Sequence, residues 1–294
     1  MNEVSATPVQ QAIPEPTTRV KVSDKDELDV WVWGEGESVV FVHGAMIRDL
    51  LKPLADELVR TGKYQAIHYG RRGHGGPGLP GQATDITGHA ADVVAILDAL
   101  RIDRAHVAGH SFGAFVALEL AVRSPERLRS AVLLEPFLAE ALSEASQQIQ
   151  AEFERAFPMI AQQYLSGEAG RAVTAFAELT AGVEGVWARL EPRLPTGART
   201  LAAADLNTFF QVDGPAMGAW LAKCLPVRQI TTPIVWIGGA DSPSTFADTR
   251  DYLHRALPRT KTYDIDGVGH YFPALKPAET AAALDAALRP ERTR

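Results

Sequence analysis

The stretch Ala105-His106-Val107-Ala108-Gly109-His110-Ser111-Phe112-Gly113 (AHVAGHSFG, 105–113) decides how the rest of the chain is read. Ala105 to Ala108 is a short, mostly apolar run of the kind that forms a buried strand. Gly109 to Gly113 follows as G-x-S-x-G, and Ala114 to Arg123 then reads as a helix. Strand, sharp turn and helix together hold a serine in a strained backbone conformation at the carboxyl end of a strand. Small residues two positions on either side keep the neighbouring backbone from clashing. The pattern predicts that Ser111 is a nucleophile, with the Phe112 N–H free to point at a developing oxyanion.

Before this stretch, residues 1–18 lack periodicity and carry three prolines at Pro8, Pro14 and Pro16, which reads as a mobile tail. Arg19 to Val22 and Asp29 to Trp33 are expected as an antiparallel hairpin, and Ser38 to Val42 (SVVFV) as a buried central strand. His43-Gly44-Ala45-Met46 follows that strand directly. A loop here can carry a second oxyanion donor, with the Ala45 N–H as the candidate and Met46 beside it. Leu50 to Arg60 reads as a helix, Tyr64 to Tyr69 as a strand, and Asp85 to Leu100 as a helix with Val93, Ile96, Leu97 and Leu100 on one face. The Gly-rich loop Gly70 to Gly81 holds a formal G-x-G-x-x-G at Gly73, Gly75 and Gly78. Pro77 lies inside it and no helix opens from it, so it is not read as a dinucleotide site.

After the elbow, Ser130 to Leu134 (SAVLL) is a buried strand ending at Glu135-Pro136. From 137 to 225 strands vanish. The stretch is Ala-rich, helical and aromatic, and is expected as a cap over the carboxyl edge of the sheet. Strands Ile234–Ile237 and 260–265, and helices 245–257 and 277–288, then restore the alternation. The domain reading is a tail at 1–18, a core of 19–136 and 226–294, and a helical cap at 137–225.

Alternating strands and helices predict an α/β fold with a mostly parallel sheet, whose functional loops lie at the carboxyl ends of strands. A serine hydroxyl needs a base within hydrogen-bond reach. Of the eight histidines, His43 and His74 brace loops, His68 and His106 lie in strands, His89 and His254 lie in helices, and His110 sits inside the elbow pointing away from the nucleophile. His270 remains, after the last strand and flanked by Gly267 and Gly269. The acid that orients it is Asp241, reached through Gly238-Gly239-Ala240, or Glu135 at the mouth of its own strand. Both stay open, with Asp241 preferred. Candidate substrate contacts are Met46, His110, Phe137, Trp187, Phe209, Phe210, Trp220 and Tyr271.

The pieces FVHGAM (41–46), YGRRGHGG (69–76), AGHSFGAFVAL (108–118), LLEP (133–136), GGAD (238–241) and GVGHYFP (267–273) together resemble the α/β-hydrolase superfamily, on its serine-nucleophile, esterase- and lipase-like branch. The resemblance implies an eight-stranded, mostly parallel sheet flanked by helices, a Ser-acid-His triad and no cofactor. It also implies that the acid most often follows the strand ending at Gly238, giving Asp241, and in some members the preceding strand, giving Glu135. One departure is Gly70, where the family usually carries Asp. Serine at the elbow argues against the branches of the family that use aspartate.

The net charge of −7, with no Lys/Arg cluster, argues against a nucleic-acid partner. No apolar run approaches the ~18 residues of a membrane span. The single cysteine, Cys224, excludes an intrachain disulfide and a thiolate metal site, and the polar N-terminus does not read as a secretory signal, so a cytoplasmic protein is expected. The expected function is a serine hydrolase of the carboxylesterase or lactonase kind, acting on a medium-sized apolar small molecule. The alternatives are a carbon–carbon bond hydrolase or perhydrolase, and a non-hydrolytic lyase or ligand-binding protein on the same fold. The sequence leaves the oligomeric state open.

Overall fold

Runs of β-branched and aliphatic residues form the middle of one sheet, because parallel strands covered on both faces must be apolar throughout. The computed structural model describes residues 14–75, 84–223 and 225–289. The strands are β1 (Thr18–Lys21), β2 (Glu27–Gly34), β3 (Glu37–Val42), β4 (Tyr64–Tyr69), β5 (Ala105–His110), β6 (Leu128–Leu134), β7 (Ile234–Gly239) and β8 (Lys261–Ile265). They form an eight-stranded sheet in the order β1-β2-β4-β3-β5-β6-β7-β8. The β1–β2 and β2–β4 pairs are antiparallel and every other pair is parallel. All six residues of β5 are buried.

The helices α1 (Lys52–Val59), α2 (Ile86–Ala99) and α3 (Phe112–Arg123) follow β3, β4 and β5. Between β6 and β7 the chain forms α4 (Glu144–Leu165), α5 (Ala169–Ala181), α6 (Val186–Leu190), α7 (Ala198–Ala204), α8 (Leu206–Thr208) and α9 (Gly214–Leu221), with a π-helical turn at Phe209–Asp213 joining the last two. No strand is described in this insertion. The chain closes with α10 (Ser244–Ala256), α11 (Phe272–Leu275) and α12 (Pro277–Leu288). The helix expected from Leu50 instead begins as a 3-10 turn at Arg48–Leu51, since Pro53 favours a helix start at the next turn. Asp85, expected inside α2, caps it, accepting the Gly88 N–H at 2.9 Å.

Apolar side chains pack in two clusters, one on each face. One joins α1, α11 and α12 with most of the insertion, and the other joins α2, α3 and Trp220 of α9. Residues 14–18, read from sequence as part of a mobile tail, are held to β2. The Trp31 indole N–H donates to Pro14 O at 2.8 Å, and the Val32 N–H donates to Thr17 Oγ1 at 2.9 Å. The rest of that tail, the Pro77 and Gly78 part of the Gly-rich loop, and Cys224 lie outside the described residues. Among the described residues no helix is long and apolar enough to cross a membrane.

Candidate active site

The loop after β3, the elbow after β5, Glu135 after β6 and the loop after β8 meet at one edge of the sheet, where the parallel strands all end. Four non-glycine residues among those described have positive φ, and three of them are here: Met46 (57°), Ser111 (51°) and Glu135 (53°). Such angles cost free energy for a residue with a Cβ and gather where surrounding structure over-determines a site.

Glycines make the elbow possible. A Cβ on Gly109 would stand 2.0 Å from Gly113 O, and a Cβ on Gly113 would stand 2.0 Å from Val42 O at the end of β3. The Ser111 N–H donates to Leu134 O at 2.9 Å, tying the elbow to the residue before Glu135. Ser111 is half-buried and immediately precedes α3, whose first N–H belongs to Phe112. Gly44 lies against it, and a Cβ there would stand 3.2 Å from Ser111 Cβ.

His270 Nδ1 lies 2.7 Å from Glu135 Oε2. The other carboxylate oxygen, Oε1, accepts the Gly239 N–H at 2.6 Å and the Ser242 hydroxyl at 2.7 Å. With Oε1 filled by donors, Oε2 is left to accept from Nδ1–H, which leaves Nε2 of a neutral ring as an acceptor. Burial disfavours charge on both partners, so the pairing of a carboxylate with a neutral imidazole is the form present above about pH 7. Burial pushes Glu135 up to about 7, an effect reduced by its bonds to Ser242 and Gly239, and it pushes His270 down to about 3. The His270 ring is held between two others, Phe246 of α10 (centroids 4.5 Å apart, 12° between planes) and His110 (4.5 Å, 37°).

Asp241, preferred over Glu135 from the sequence, is not brought to His270. Its side chain is exposed, and its backbone N–H donates to Val268 O at 3.1 Å. The GGAD segment serves Glu135 instead, through the Gly239 N–H and the hydroxyl just after it. Glycine at 238 leaves room for this carboxylate, since a Cβ would stand 3.0 Å from Glu135 Oε1 and 2.8 Å from Trp236 Nε1.

The expected substrate contacts divide. Met46 belongs to the same apolar cluster as Trp187, Phe209, Phe210 and Tyr271. The Tyr271 hydroxyl is 2.7 Å from Thr180 Oγ1, and Trp187 is buried inside the insertion. Phe137 packs with the cluster on the opposite face. His110 is buried; its Nε2 is 2.9 Å from His270 O, so it braces the His270 loop. Trp220 is committed to α3, with its ring 5.1 Å from Phe115 and its indole N–H donating to Glu119 Oε2 at 2.9 Å. The sequence reading missed Phe246 and Ser242. Ser242 had a signal, standing just after GGAD, but Phe246 had none, because only tertiary packing stacks it on His270.

His43 is fully buried, with Nδ1 2.8 Å from Gly44 O and Nε2 accepting the Arg71 N–H at 3.0 Å. Burial and the nearby Arg71 charge keep it well below the usual histidine range. Among the described residues no group of three or more His, Cys, Asp or Glu is placed to hold a metal ion.

A model of the alpha/beta hydrolase family matches residues 39–283. A 2-(acetamidomethylene)succinate hydrolase of Mesorhizobium japonicum is 24% identical over 266 residues, covering 87% of this chain and 90% of that protein. A putative carbamate hydrolase RutD of Azorhizobium caulinodans is 39% identical over 72 residues, 24% of this chain and 27% of that protein. Two further curated relatives are matched over 42% and 27% of their own lengths. Among solved structures, Est816, described as an N-acyl homoserine lactone degrading enzyme, superposes with a TM-score of 0.65 at 22% identity, covering 92% of this chain and 99% of that one. The chain belongs to the alpha/beta hydrolase family.

Proposed function

We propose that the chain is a serine hydrolase that cleaves a carboxylic ester, lactone or related acyl bond of a medium-sized apolar small molecule through an acyl-enzyme. The observation that carries this reading is the 2.7 Å contact between His270 Nδ1 and Glu135 Oε2, at the strand ends that flank the strained Ser111. Ser111 Oγ attacks the carbonyl carbon, and His270 Nε2 takes its proton. The proton is then given to the leaving oxygen as the acyl–oxygen bond breaks. Water attacks the acyl-enzyme by the same route in reverse roles, releasing the acid and restoring Ser111. Glu135 holds the ring in the required tautomer and balances the imidazolium. The N–H groups of Phe112 and Ala45 receive the oxyanion, each worth about 3–4 kcal/mol where such donors have been removed.

The apolar preference is supported by the cluster that joins Met46 to Phe209, Phe210 and Trp187 of the insertion, which we read as a cap over the strand ends. The test is labelling with a fluorophosphonate, beside burst kinetics on p-nitrophenyl esters and aryl lactones. The reading expects a covalent adduct on Ser111 and loss of turnover in Ser111→Ala. A folded protein that neither labels nor turns over any of the panel would refute it.

A further inference from the structure

None of the steps above uses Arg71, yet it is fully buried beside the site, and a buried cation is costly unless it is fully partnered. It follows β4, and its guanidinium is bidentate on Asp213 of the insertion, Nη2 to Oδ2 at 2.7 Å and Nη1 to Oδ1 at 3.0 Å. The same Nη2 donates to Gly44 O at 3.1 Å. Its central carbon lies 4.1 Å from the centre of the Phe112 ring. One side chain thus touches both residues whose N–H groups form the oxyanion hole in our reading, or the peptide next to them.

The contact with Gly44 has a geometric consequence. Gly44 O and the Ala45 N–H belong to one planar trans peptide unit and point in opposite directions. The oxygen is held inward by Arg71 Nη2 and by His43 Nδ1, at 3.1 and 2.8 Å. His43 is fixed in that role because its Nε2 accepts the Arg71 N–H. Turning the oxygen inward turns the Ala45 N–H outward, on the unit that packs against Ser111.

Arg71 is in turn placed by the insertion. Besides the Arg71–Asp213 pair, His74 Nε2 lies 3.0 Å from Asp213 Oδ2, the Gly75 N–H donates to Asp205 Oδ1 at 3.1 Å, and Thr208 Oγ1 donates to Gly73 O at 2.6 Å. Residues 205–213 therefore grasp the 71–75 loop at several points. We infer that Arg71 is the positioning residue of the oxyanion hole, and that Asp213 makes the setting of the Gly44–Ala45 peptide depend on the seating of the helical insertion. This rests on the serine-hydrolase reading.

The test compares wild type with Asp213→Asn, Arg71→Lys and the paired replacement Arg71→Met with Asp213→Leu. The paired variant removes both charges at once, which leaves neither partner buried alone. Active sites are counted by fluorophosphonate titration, and kcat per titrated site, KM, and the Ki of an aryl trifluoromethyl ketone are measured. The ketone forms a tetrahedral oxyanion on the serine and so reads the hole directly. The paired variant is expected to lose about 10- to 100-fold in kcat per site, part of the 10²–10³ that a missing donor costs, with KM within about threefold. The ketone Ki should rise by the same factor. Arg71→Lys keeps a point charge but not the fork, and should fall between the two. A merely structural role would lower the melting temperature or the number of titratable sites and leave kcat per site and the ketone Ki within about twofold of wild type; that result overturns the proposal. Should the paired variant fail to fold, the near-isosteric Asp213→Asn decides, with a loss of about fivefold or more expected and a change under twofold overturning the inference. If wild type itself forms no adduct, the serine-hydrolase reading falls and takes this inference with it. If wild type and variants react alike, the inference falls alone.

Discussion

Replacing Glu135 by Gln should nearly abolish turnover although it changes only one atom's identity. Glu135 Oε1 accepts the Gly239 N–H at 2.6 Å, a backbone donor that cannot turn round, and the Ser242 hydroxyl at 2.7 Å. The glutamine oxygen must therefore occupy that corner, and its NH₂ faces His270 Nδ1. A ring that accepts at Nδ1 carries its proton on Nε2, the nitrogen that has to receive the serine proton. The wrong tautomer and the loss of the counter-charge together are worth about 10⁴ in kcat where an equivalent acid has been neutralised, or about 5.5 kcal/mol. Asp241→Asn touches an exposed side chain and should leave kcat within about twofold. The assay is kcat per titrated active site on whichever p-nitrophenyl ester wild type cleaves best. Retention of more than about a tenth of the activity in Glu135→Gln, with a large loss in Asp241→Asn, would refute the assignment of the acid.

The same variant makes a prediction about stability. Burial raises Glu135 to about 7, against about 4.3 unfolded, so its contribution to stability is fully present below about pH 4.3 and is lost as pH rises to about 7. Gln does not titrate, so the melting temperature of Glu135→Gln minus that of wild type should grow between about pH 4.3 and about pH 7 and level off above; a flat difference would contradict the raised carboxyl. Phe246→Ala removes the ring stacked on His270 and admits water to its flank. Ring-proton NMR should show His270 titrating closer to its ordinary value, since burial is what depresses it, and kcat should fall about tenfold as the ring loses its wall. An unmoved titration would mean that Phe246 does not shield the ring. Trp220→Phe deletes the indole donor to Glu119 and should cost about 2 kcal/mol in chemical denaturation with kcat unchanged. An altered kcat would place Trp220 nearer the chemistry than its packing on Phe115 implies.

What could be read from the sequence follows the range of the forces involved. The strands of the sheet and the helices that follow them are local patterns, and each expected element is present with its ends displaced by at most a few residues. The elbow is equally local, because the strain at Ser111 and the glycines that permit it lie within five residues. The partner of His270 is not local. Glu135 lies 135 residues away, and the preference for Asp241 rested on its place after a strand end and on the family pattern, whereas the choice depends on which strand end points its side chain inward. Glu135 standing just before Pro136 at the mouth of a buried strand was the sign in the sequence, since a residue preceding proline is already restricted in backbone conformation, and the structure holds it at φ 53°. The packing of the insertion's aromatic residues was out of reach for a different reason. Composition marks the insertion as helical and aromatic but does not say what each ring packs against, and Trp220 went to α3 while Phe209 went to the insertion's own core.

The glycine motifs perform one physical task at several places along the same edge. Gly113 lets α3 approach the last carbonyl of β3, where a Cβ would stand 2.0 Å from Val42 O. Gly239 lets the end of β7 approach the His270 loop, where a Cβ would stand 2.5 Å from Val268 O and 2.7 Å from Gly269 O. An added Cβ at either position would overlap the facing carbonyl, so the spacing between neighbouring strand ends is set by the absence of side chains there. That spacing fixes the Phe112 and Ala45 N–H groups relative to each other, because one opens α3 and the other follows β3. It likewise fixes Glu135 relative to His270, through the Gly239 N–H bound to its carboxylate. The groups we propose to react are therefore held by packed main chain that cannot relax independently of the sheet, and a methyl group added at Gly113 or Gly239 would displace the proposed oxyanion donors or the proposed acid without altering any residue proposed to touch substrate.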